Sequence, residues 1–138
     1  MSANGLVGWM ARAAGCFVLL AALLTPAVAQ APSLAMLSRL DRGLWELRYR
    51  PDNRVERVCV RDGVDFIQLR HPNDNCSRFI VEDTADRVTV QYTCRGRGYG
   101  RTFIRRENGT LAQIQSQGLI NGQPFDLAAE ARWVGRCN

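Results

Sequence analysis

The stretch RTFIRRENGTLAQIQSQGLINGQPFDLAAEARW, Arg101–Trp133, decides the fold. Two Asn-Gly pairs, Asn108-Gly109 and Asn121-Gly122, each stand between segments that alternate apolar and polar residues. Asn-Gly tolerates positive φ at both central positions of a type I′ turn, whose twist suits two antiparallel strands. The stretch therefore predicts three strands joined by two tight hairpins. In the last strand Phe125, Leu127, Ala129, Ala131 and Trp133 share one face, and Asp126, Glu130 and Arg132 share the other. That period of two belongs to a half-buried strand.

The same pattern runs outward from this stretch. GLWELRYR places Trp45, Leu47 and Tyr49 on one face and Glu46, Arg48 and Arg50 on the other. Pro51-Asp52-Asn53 is turn chemistry, and VERVCV returns as a second strand. Asp62–Leu69 reads as a helical turn and HPNDN as a loop. SRFIVE and VTVQYTC form the next hairpin, with Asp62/Asp65 and Asp83/Asp86 read as turn carboxylates. Strands alternate with turns and never with helices. The predicted fold is mainly β, a curved antiparallel meander or partly open barrel of about seven strands with a short N-terminal helix.

That helix belongs to a lead-in, residues 30–42. Ser33 is placed to cap it, Leu34, Leu37 and Leu40 fall at helical spacing, and Gly43 stops it. The disulfide-bonded β domain then occupies residues 43–138. Residues 1–29 read as a secretory signal: Arg12, the apolar run Ala13–Leu24, then the small-residue motif Ala27-Val28-Ala29. The run falls short of the roughly 20 residues that span a bilayer. Cleavage after Ala29 would leave no transmembrane anchor and would remove Cys16. The expected location is periplasmic or secreted.

Cys59, Cys76, Cys94 and Cys137 remain in the mature part. An even count in a small exported domain reads as two disulfides. Their spacing contains no C-x-x-C pair, which argues against zinc. Three pairings are open. The sequential one, Cys59–Cys76 with Cys94–Cys137, is preferred, because a Cys76–Cys94 bridge would join opposed positions of strands already paired.

The chain carries a net charge of +5, and all its basic residues are Arg. Attraction to phosphates, anionic glycans or lipid headgroups is one reading. Arg-favouring codons of a G- and C-rich gene are the favoured explanation, since acidic residues are interleaved throughout. Arg95, Arg97 and Arg101 lie in the one biased stretch, RGRGYGR. Arg, Gly and an aromatic can bind single-stranded nucleic acid. A single short copy in an exported domain reads instead as a glycine-rich bend, which rules nucleic acid out and keeps Arg95, Arg97 and Arg101 as an anion patch.

No nucleophile and orienting partner accompany His71, which reads as a solvated loop residue. No P-loop, dinucleotide fingerprint or G-x-S-x-G occurs. The expectation is no catalytic residue, cofactor or metal. Trp45, Tyr49, Phe79, Tyr92, Phe125 and Trp133 are expected to face inward, as core or as the lining of a ligand cavity. Trp45 and Trp133 are assigned to the core by parity. Ala129 and Ala131 imply something bulky above them, for which the leucines of the lead-in are available.

G-L-W-E-L at Gly43–Leu47, Cys59, the span from Cys76 to Y-T-C at Cys94, and R-W-V-G-R-C at Arg132–Cys137 follow one another in order. In this the chain resembles the bacterial domain-of-unknown-function family 3617 over about residues 42–137. It departs in its heavier Arg load and in lacking Met- and Gly-rich segments. The resemblance implies an exported, disulfide-bonded β domain with structural Cys and Trp. It brings no catalytic residues. The function expected is a non-enzymatic binding or interaction module, its ligand an anionic envelope component or an apolar small molecule. An envelope enzyme or inhibitor with a loop-borne site, and a structural accessory without ligand, are the alternatives.

Overall fold

The computed structural model describes residues 34–138. The signal segment, its cleavage motif, Cys16 and Ser33 lie outside the described residues. Seven strands form one antiparallel sheet: β1 Gly43–Arg50, β2 Val55–Val60, β3 Cys76–Asp83, β4 Arg87–Cys94, β5 Gly98–Asn108, β6 Leu111–Ile120 and β7 Gln123–Gly135. Their order is β2-β1-β7-β6-β5-β4-β3.

Consecutive strands are neighbours everywhere except between β2 and β3, and the first strand pairs with the last. This is the order of an up-and-down barrel interrupted at one place. Six antiparallel steps separate β2 from β3, so the two free edges run in the same direction. The chain must therefore travel back along the full strand length between them. Residues 61–75 make that return, with a 3-10 turn at Gly63–Phe66. Asp62 and Asp65 are indeed turn residues: the Asp62 carboxylate accepts from the Val64 amide at 3.1 Å, and Asp65 reaches back to the Asp62 amide.

The core lies between the inner face of the sheet and two covering segments. The return segment contributes Phe66 and Ile67, both fully buried, and the lead-in contributes Met36, Leu37 and Leu40. Trp45 meets Phe66 edge-on at 5.2 Å, and its Nε1 donates to the Asp41 carbonyl at 2.8 Å. Ile104, Ile114, Ala112 and Ala131 complete this layer. The lead-in does bury its apolar residues, but not as the expected helix. It makes a single 3-10 turn, Leu37–Arg39, with three i→i+3 bonds. Packing, rather than helical spacing, sets its shape.

Several other expectations are corrected. Asn121 and Gly122 take positive φ as a type I′ turn requires, whereas neither Asn108 nor Gly109 does. The Asn108 carboxamide oxygen accepts from the Thr110 amide instead, and the Gly109 carbonyl accepts from the Asp41 amide. The tertiary contact with the lead-in overrides the local turn preference. Phe79 faces outward and is 69% exposed. Its partner Gln91 is on the outer face, and Arg78 and Ile80 take the inward parity. Trp133 is opposite Trp45 but 37% exposed, beyond a register shift at Leu44/Trp45. Its indole covers Gly43 and donates to the Arg42 carbonyl at 3.0 Å.

The disulfides are Cys59–Cys137 and Cys76–Cys94, not the sequential pair. Cys76 and Cys94 are cross-strand partners with Cα atoms 4.2 Å apart, close enough for a bridge. Cys59 lies on the outer face opposite Leu44, itself opposite Gly135, so the tail after β7 folds across β1 to meet it. Among the described residues, no helix is long and apolar enough to cross a membrane.

Candidate binding cleft

The inside of the curved sheet is not an open cup. Tyr92, Gly100, Gly118 and Phe125 stand in one inward row across β4, β5, β6 and β7. Two side chains are missing from the middle of that row, and His71 of the return segment comes down there. Its ring lies 5.4 Å from Tyr92 and 6.1 Å from Phe125. A Cβ on Gly100 would sit 2.4 Å from the Tyr92 ring. His71 is thus 1% exposed, not solvated, with Nδ1 3.1 Å from the Tyr92 hydroxyl. Thr102 donates to the Ile67 carbonyl and lies 2.7 Å from Ser116 Oγ.

These four polar side chains are buried. Burial raises the Tyr92 pKa, and a bond to Ser116 opposes it. No substrate can reach the group without displacing the return segment. His71, Asp74 and Cys94 also approach within 4.8 Å. Cys94 has its sulfur in the bridge to Cys76 and is not a ligand.

The anion patch read from the sequence is dispersed. Arg95 borders a hollow with Asn75, Ser77 and Thr93, and Arg97 pairs with Asp74 at 4.0 Å. Arg101 lies on the outer face beside Gln117 and Asp126. Of the proposed cavity aromatics, Trp45 and Tyr49 are core. Tyr49 donates to Glu56 at 3.0 Å, and burial, then the Glu56 charge, push its pKa up to about 12.

One concavity lies in the gap between the two free edges, a cleft of about 510 Å³. Glu56 and Val58 of β2 form one wall, Arg78 of β3 the other, and Val64, Leu69 and Pro72 of the return segment the floor. Arg61 and Asp65 stand where the return segment begins. The carboxylates are already engaged. Glu56 accepts from Tyr49 and pairs with Arg54 at 3.7 Å, and Asp65 accepts from the Arg61 amide at 3.0 Å. Among the described residues, neither Arg61 nor Arg78 pairs with a carboxylate. Arg78 donates to the Gln68 side chain at 3.0 Å, which is held in turn by the carbonyls of His71 and Asp74.

The lining thus carries two guanidinium groups and two carboxylates; Glu56 is ion-paired with Arg54, and Asp65 is held by backbone amides. No local motif marks Glu56, Arg61, Gln68 or Arg78, because they meet only through the parity of seven strands. No family model, curated protein or solved structure matches the chain.

Proposed function

We propose that this is an exported, non-enzymatic binding module whose site is the cleft between β2 and β3. The carrying observation is a pair of guanidinium groups, Arg61 and Arg78, that have no carboxylate partner among the described residues, above an apolar floor in a cleft of about 510 Å³. The ligand is anionic in part and apolar in part. Two disulfides suit an oxidising compartment, and the segment ending Ala27-Val28-Ala29 supplies the route of export. Membership of family 3617 is part of the same proposal, supported by the four bonded Cys and the G-L-W-E-L strand. The filled interior favours one second reading, a structural accessory without ligand.

Thermal unfolding against a panel of anionic, neutral and cationic small molecules separates the two. A ligand at a hundred times its Kd stabilises by about 2.7 kcal/mol, or several degrees. The expected result is a rise in Tm with anionic amphiphiles that Leu69→Trp, which fills the floor, abolishes. No response to any ligand would favour the accessory, and an equal response in Leu69→Trp would move the site elsewhere.

A further inference from the structure

We propose a second site, independent of the cleft: the outer face of β4, β5, β6 and β7 takes a neutral oligosaccharide chain. The outer face divides into two parts. On β1, β2 and the adjoining rows of β6 and β7, polar side chains engage one another. Glu46 pairs with Arg48 and Arg57 at 3.7 and 3.5 Å, and Glu130 holds Arg132 at 2.7 Å and Gln113 at 3.1 Å. Farther along, Gln91, Arg101, Gln117 and Asp126 form one outward row across β4 to β7. Tyr99 stands in the row on one side, and Phe103 and Gln115 stand in the row on the other. Among the described residues, the side chains of Gln91, Arg101, Gln115, Gln117 and Asp126 make no hydrogen bond or ion pair. Arg101, Gln117 and Asp126 are common to two hollows, one of about 480 Å³ beside Tyr99 and one of about 220 Å³ beside Phe103. Phe79, 69% exposed, pairs with Gln91 and continues the middle row onto β3.

This combination matches the two surfaces of a sugar ring. Its hydroxyls both donate and accept, and each Gln amide offers two donors and an acceptor to meet them. Its C–H faces carry slight positive charge and lie well on the electron-rich face of an aromatic ring. Tyr99 and Phe103 are four residues apart on β5, about 13 Å, so a chain of sugars rather than a single ring reaches both hollows. Charge complementarity points the same way. The middle row holds one guanidinium and one carboxylate, which suits a neutral ligand and neither a polyanion nor a polycation. Single-stranded nucleic acid needs a positively charged groove, and Asp126 opposes that. An acyl chain needs a continuous apolar surface, and here amides separate the rings.

The test titrates the oxidised protein, by calorimetry, with cellohexaose, chitohexaose and maltohexaose, and with a single-stranded oligothymidine as the control. At least one of the neutral hexasaccharides should bind, more tightly than its own monosaccharide, and the oligothymidine should not. Tyr99→Ala should weaken that binding about tenfold, as loss of one stacked ring would. Tyr99→Phe, which keeps the ring, should bind like the parent, so that a folding defect is not mistaken for lost binding. Leu69→Trp, in the cleft, should leave sugar binding unchanged. The side-chain amide signals of Gln91, Gln115 and Gln117 should shift in the NMR spectrum on titration. No binding of any hexasaccharide would overturn the site while leaving the cleft standing. Unchanged binding in Tyr99→Ala, or its loss in Leu69→Trp, would place the sugar elsewhere and overturn this face. Binding of the oligothymidine as tightly as the sugars would overturn the ligand class.

Discussion

Trp45 and Trp133 have the same parity and are cross-strand partners, yet they do different jobs. Trp45 is fully enclosed, with its ring on Phe66 and its indole N–H bonded to Asp41. Truncation to Ala should cost about 3–5 kcal/mol, the range for a large buried aromatic. Trp133 lies over Gly43 at the end of the sheet, with one face in solvent. Trp133→Ala should cost about 1–2 kcal/mol, from one hydrogen bond and partial burial. Denaturant unfolding of the two variants measures the difference, and equal losses would contradict this division. Alternation identified which face each Trp belongs to. It carried no information on where the covering segments stop, and that decides how much of a face is core. Phe79 shows the same gap: in the apolar run Phe79-Ile80-Val81 parity is undecided until Cys76 pairs with Cys94.

At the scale of elements, the seven strands were legible because hairpin turns and alternation reinforce one another. Asn121-Gly122 keeps positive φ at both positions, with the Asn121 amide donating to the Arg97 carbonyl, whereas Asn108-Gly109 docks on the lead-in and takes another shape. The least legible element was the return segment, Arg61–Asn75. Its residues look polar and loop-like, yet Ile67, Gln68 and His71 are buried against the sheet. A sign of this was in β5, where a Cβ on Gly98 would lie 3.3 Å from His71 Nε2 and one on Gly100 would meet the Tyr92 ring that packs on His71. A glycine inside a strand often marks close approach of another backbone or ring. Gly100→Ala should destabilise by about 1–3 kcal/mol through overpacking against Tyr92. Combining it with Tyr92→Leu should recover part of that loss, since the two sites share one contact. Thermal unfolding of the three variants tests this. A strictly additive double variant would mean that Gly100 and Tyr92 do not share this contact.

For the whole molecule, the bridges decide how an open sheet of this size holds its edges. A bridge across a formed hairpin adds little to the folded state, which favours the sequential pairing, but a cross-link acts mainly by restricting the unfolded chain. Both observed bridges end on edge strands: Cys59 in β2 and Cys76 in β3. Their sequence separations are 78 and 18 residues. On the chain-entropy relation these correspond to about 4.5 and about 3 kcal/mol. Replacing Cys59 and Cys137 by Ser should therefore cost more than replacing Cys76 and Cys94. The losses should also be local to different edges. Without Cys59–Cys137 the chain end is no longer tied across β1, so amide exchange should quicken first in β2. Without Cys76–Cys94 it should quicken first in β3, on the other side of the cleft. Peptide mapping of the oxidised protein, followed by hydrogen exchange of the two double variants, measures both. A Cys59–Cys76 peptide in the map would overturn the pairing, and identical exchange patterns would show that the bridges do not act on separate edges.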